Sequence, residues 1–113
     1  MWYIFPQVAG LGHSATARHY ALADLDEARD YLAHPVLGPR LRHCAEALLA
    51  HRGRAAHDIL GGIDAMKLRS SMTLFSAAAP GQPLFGEVLE AFYAGEPCTL
   101  TLDILQRQRR TNH

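Results

Sequence analysis

Lys67, Ser70 and Ser71 have the types and spacing that most directly suggest chemistry. On a helix, residues three and four apart are neighbours, so an ammonium and two hydroxyls share one face. Such a face can hold an anion or orient a substrate. It could also pair a serine nucleophile with a lysine base, which requires burial to depress the lysine pKa. The plainer reading is structural: helical serines bond back to the carbonyl one turn earlier, and lysine runs its stem out to water. Trp2, Tyr3, Phe5 and Gln7, with the Gly10-Leu11-Gly12-His13 loop behind them, form a second set. Aromatic walls with one amide are a usual way to hold a flat ring such as a base or a nicotinamide. The alternative is an aromatic core cluster. Gly-Leu-Gly alone is a weak phosphate signal, because no strand-to-helix fingerprint surrounds it. The expected ligand-binding residues are therefore Trp2, Tyr3, Gln7, Lys67, Ser70 and Ser71. No catalytic residue is assigned, and whether the chain is an enzyme stays open.

His13, His19, His34, His43, His51, His57 and His113 include no pair four apart on one helix and no Glu set between two histidines. No metal site and no cofactor are expected from them. His34 before Pro35 and His57 before Asp58 read as capping or turn residues. Cys44 falls on the apolar face of a predicted helix, where a free thiol behaves as a small hydrophobe. Cys98 lies beside Pro97 in a turn, and neither cysteine has sequence neighbours that argue for a lowered pKa. Arg40 with Arg42, Arg52 with Arg54, and Arg107 with Arg109 and Arg110 are separate spots balanced by nearby acids. They lack the aromatic-plus-basic interleaving of single-strand readers, so no nucleic-acid partner is expected.

Helical periodicity positions these residues. Asp24-Leu25-Asp26-Glu27 is a capping box, and Leu25, Ala28, Tyr31 and Leu32 recur at helical spacing until His34-Pro35. A longer helix carries Leu41, Cys44, Ala45, Leu48 and Leu49, with Pro39 tolerable in its first turn and Gly53 ending it. A short helix over 55–60 follows. Asp64 then caps a helix over 65–79 that is apolar nearly all round and should be central. Gln82-Pro83 begins another, with Phe85, Val88, Leu89 and Phe92 on one face, and Thr99 starts the last. Before Asp24 the pattern gives a short extended piece or turn, a loop, and a short helix from Ser14 towards Tyr20 and Leu22. Residues 107–113 read as a fraying polar tail. The expectation is an all-α, compact multihelical single domain of about six short helices over residues 1–113.

At 113 residues with 49% hydrophobic and 19% charged content, the chain is globular and able to build a core without disulfide or metal. Formal charge is zero, so no long-range field recruits nucleic acid or anionic membrane. No apolar run reaches the ~18 residues of a membrane span, and no signal peptide is visible, which makes the cytoplasm the expected location.

Several strings resemble one bacterial family, domain of unknown function eighteen-ten, whose members are mostly α-helical single domains. They are Trp2 to Gln7 with Gly10-Leu11-Gly12, Glu27-Ala28, Tyr31 to Leu41, Lys67-Leu68, Ser70 to Phe75, and Thr99-Leu100. Similar proteins carry a further helix and a Lys-Ser-His-type stretch before the Trp-rich segment. The resemblance therefore implies that Met1 stands inside the family's pattern and that the chain is shortened at its front. The family brings no activity to carry over, and its calpastatin label finds no matching repeats here. A fainter likeness links the chain to the NADAR group of NAD and ADP-ribose metabolism, without its hallmark residues matching position by position. The resulting expectation is a cytoplasmic domain that binds or processes a nucleotide or ADP-ribose-type small molecule. The alternative is a non-enzymatic interaction module or homodimer joined through the apolar N-terminal segment.

Overall fold

Asp24 opens the first helix: its Oδ1 accepts the Glu27 N–H at 2.9 Å, the N-cap bond expected of this string. Helix α1 spans Leu25–Ala33 and ends at His34, whose Nδ1 accepts the N–H groups of Val36 and Leu37, both at 3.1 Å. That is the capping role read for His34. Helix α2 covers Leu37–Leu49, with Pro39 in the first turn, where its missing N–H leaves no gap in the ladder. Helices α3 (Ala56–Leu60), α4 (Gly62–Ala78), α5 (Leu84–Tyr93) and α6 (Thr99–Thr111) follow. The structure, a computed structural model, describes residues 5–11 and 21–111. These six are the helices among the described residues, and the fold is all-α as expected. Among the same residues the extended pairing is an isolated parallel bridge, Val8 to Leu22. It is closed by Leu22 N–H to Gln7 O at 2.9 Å and Ala9 N–H to Leu22 O at 2.8 Å.

The boundaries differ from the sequence reading in several places; helix α2, for one, ends at Leu49 with Ala50 as its C-cap, short of the expected Gly53. Helix α4 begins at Gly62, with Gly61 (φ 83°) as the cap and Asp64 inside the first turn. A carboxylate there still faces the positive end of the helix. The expected helix from Ser14 lies largely outside the described residues, and its predicted end, Leu22, is in the bridge instead. Residues 107–111, read as a fraying tail, continue α6. Gln108 Nε2 ties that last stretch down by donating to the Ala23 carbonyl at 2.6 Å.

Helix α4 is the hub, packing against α1, α3, α5 and α6, while α2 closes the other side against α1 and α5. Four neighbours explain why apolar side chains are buried on several sides of α4: Leu68, Met72, Leu74 and Phe75 are all fully buried. Met66 departs from that all-round pattern and is 72% exposed. The Phe75 ring sits 5.6 Å from both Tyr31 of α1 and Phe85 of α5. Phe5 and Val8 join the same hydrophobic cluster, so part of the apolar opening is core. No helix among the described residues is long and apolar enough to cross a membrane.

Candidate functional site

Helix α4 carries Lys67, Ser70 and Ser71 within little more than a turn, and the structure gives them different surroundings. Ser70 is buried; its hydroxyl donates to the Met66 carbonyl at 3.2 Å, the back-bond of a helical serine, and lies 3.3 Å from Cys98 Sγ. Ser71 is fully buried, and its Oγ has no hydrogen-bond partner. Lys67, one turn earlier, is half-buried. Gln7 is 3% exposed; its backbone carbonyl serves the bridge to Leu22, but its Nε2 has no partner either. Trp2 and Tyr3 lie outside the described residues. A buried amide or hydroxyl left without a partner costs about 1–3 kcal/mol, and most such groups are paired.

A second constellation was not singled out by the sequence. Cys98 is the N-cap residue of α6, its carbonyl accepting the Leu102 N–H at 3.2 Å. The loop that carries it is tied to α4 in two further places. Arg69 Nε donates to the Glu96 carbonyl at 2.8 Å, and Thr73 Oγ1 accepts the Cys98 N–H at 2.9 Å. Burial pushes the Cys98 thiol up, but the Ser70 hydroxyl, the Thr101 side chain and the backbone N–H groups of Thr101 and Leu100 outweigh it. The thiol pKa therefore lies below its ordinary value, contrary to the sequence reading. Thr101 is fully buried, and its Oγ1 has no hydrogen-bond partner.

Two adjoining clefts lie on the α1–α6 side. The first, about 500 Å³, is lined by Ala9, Gly10, Ala23, Asp24, Ile104, Arg107 and Gln108. The second, about 350 Å³, shares Asp24 and Gln108 and adds Arg29 and Arg109. Gln7, Lys67, Ser70 and Ser71 line neither. Among the described residues no three His, Cys, Asp or Glu are grouped to hold a metal ion.

The profile of the family described as "Protein of unknown function (DUF1810)" matches residues 1–105. The chain belongs to the DUF1810 family. It is similar to the conserved hypothetical protein Rv1873 from Mycobacterium tuberculosis, whose crystal structure superposes with a TM-score of 0.90 at 40% identity. The match covers 93% of this chain and 75% of that one. No curated protein matches significantly. In this DUF1810 domain the string Cys98-Thr99-Leu100-Thr101, a cap residue with a hydroxyl three positions on, was the signal that could have exposed the thiol cluster. Its other members, Ser70 and Thr73, come from α4 and leave no local trace.

Proposed function

We propose that this DUF1810 domain binds a small molecule of nucleotide or ADP-ribose type through Gln7 and the Lys67-Ser70-Ser71 face of α4. The observation that supports the reading is the pair of buried polar atoms without partners, Gln7 Nε2 and Ser71 Oγ. Each costs about 1–3 kcal/mol in the unliganded protein, and a ligand that met them would recover it. The donor types suit such a ligand. A primary amide both donates to and accepts from the edge of a base or carboxamide, and hydroxyl and ammonium groups suit phosphate oxygens. Trp2 and Tyr3 would supply the stacking wall. No reaction is assigned.

Thermal denaturation with a panel of nucleotides and ADP-ribose tests it. A ligand at a hundred times its Kd adds about 2.7 kcal/mol of stability, and Lys67→Ala and Gln7→Leu should each remove the shift. No shift across the panel, or a shift that both variants retain, overturns the proposal.

A further inference from the structure

We propose that Cys98 is a site of reversible oxidation by peroxides, built by the N-terminus of α6 together with Ser70 and Thr101. Three features set this thiol apart from an ordinary free cysteine. First, it caps a thirteen-residue helix, so its sulfur faces the Leu100 and Thr101 N–H groups that begin α6. Those donors have no partner inside the helix, and the helix dipole favours negative charge there. Second, the position is fixed rather than floppy. Ser70 Oγ lies 3.3 Å from Sγ, while Arg69 and Thr73 of α4 hold Glu96 and the Cys98 N–H. Third, Thr101, one of the groups that lower the thiol pKa, is fully buried, and its Oγ1 has no completed hydrogen bond. An oxygen added to Sγ offers the acceptor that this hydroxyl lacks. The thiol itself is half-buried and free.

The step balances with a peroxide as the second reactant. The thiol first loses its proton to solvent. The thiolate then attacks one peroxide oxygen, an S–O bond forms and the O–O bond breaks. Sulfur is oxidised by two electrons to a sulfenic acid, the peroxide is reduced, and the departing hydroxide takes a proton and leaves as water. The Ser70 hydroxyl has one proton to share between the Met66 carbonyl and the sulfur, and it turns towards the sulfur as negative charge develops. A cellular thiol can later displace the sulfenic oxygen as water, forming a mixed disulfide that exchange with a second thiol reverses.

The test uses the intact, reduced protein, hydrogen peroxide and dimedone, with peptide mass spectrometry reading each cysteine separately. Cys44, the other free cysteine, is the internal comparison. Cys98 should be trapped about tenfold faster than Cys44. Thr101→Val should slow that trapping severalfold, and Thr101→Ser, which keeps the hydroxyl, should restore it. Equal labelling of the two cysteines in the unmodified protein overturns the proposal without any variant. So does a folded Thr101→Val protein that labels at the original rate.

Discussion

The Tyr93 hydroxyl donates to the Ala65 carbonyl, and the Arg69 guanidinium lies over its ring, 5.6 Å from the centroid. Burial pushes the Tyr93 phenol up to about 12, against the downward pull of Arg69. Burial also raises Tyr31. A phenol held protonated in the fold but released near pH 10 in the unfolded chain makes the unfolded state bind fewer protons between those values. The stability it contributes is complete below about pH 10 and is lost as pH rises towards 12. Urea denaturation as a function of pH should show that alkaline decline. Tyr93→Phe should make the decline shallower while lowering stability at neutral pH by about 0.5–1.5 kcal/mol, the net worth of one hydrogen bond. An unchanged slope in the variant would assign the decline to other groups. The same scale explains which parts of the candidate site were legible. The Ser70 back-bond to Met66 is set by helical spacing alone. The Cys98 environment is assembled by Ser70 and Thr73, 28 and 25 residues away, and no window along the chain contains those contacts.

Two helical glycines predict opposite outcomes for the same substitution. In α2, a Cβ on Gly38 would stand 2.1 Å from the Leu32 carbonyl oxygen of α1. That neighbour is backbone, so the two helices must separate, and Gly38→Ala should cost about 1–3 kcal/mol or more. In α5, a Cβ on Gly86 meets nothing within 4 Å. Its φ is not positive. Gly86→Ala should therefore stabilise by about 0.4–1 kcal/mol through the reduced freedom of the unfolded chain. Urea midpoints of the two variants should move in opposite directions; a shared direction would contradict the packing described for α1 against α2. At this scale the sequence was informative wherever a side chain marks the boundary, as Asp24 does for α1. It misplaced the start of α4, where Gly61 offers no side chain to cap and Asp64 only resembles one. The Val8–Leu22 bridge escaped for a different reason. A single residue pair has no periodicity, and its hydrogen bonds join segments that are separate in sequence.

Over the whole molecule, one hydrophobic cluster runs from Phe5 and Val8 through α1, α2, α4 and α5 to Leu105 of α6. Phe75 occupies its middle, with rings from α1 and α5 each 5.6 Å away. The radius of gyration, 13.2 Å, is what a compact chain of this length adopts. Both cysteines are free, so burial rather than a covalent tie carries the stability. A shared core reached from nearly every element should melt as one unit, because loosening α4 withdraws contacts from four other helices at once. Far-ultraviolet circular dichroism, which follows the helices, and intrinsic fluorescence of the aromatic rings, Trp2 and the four tyrosines, should give coincident urea transitions. A reductant should not move them. Truncating the central ring, Phe75→Ala, should lower stability by about 3–5 kcal/mol, a large share of the roughly 5–15 kcal/mol typical of a domain. Both probes should shift together. If the variant moved the fluorescence transition and left the helical signal behind, α4 would not couple the elements around it, and the chain would have to be divided into separately stable parts.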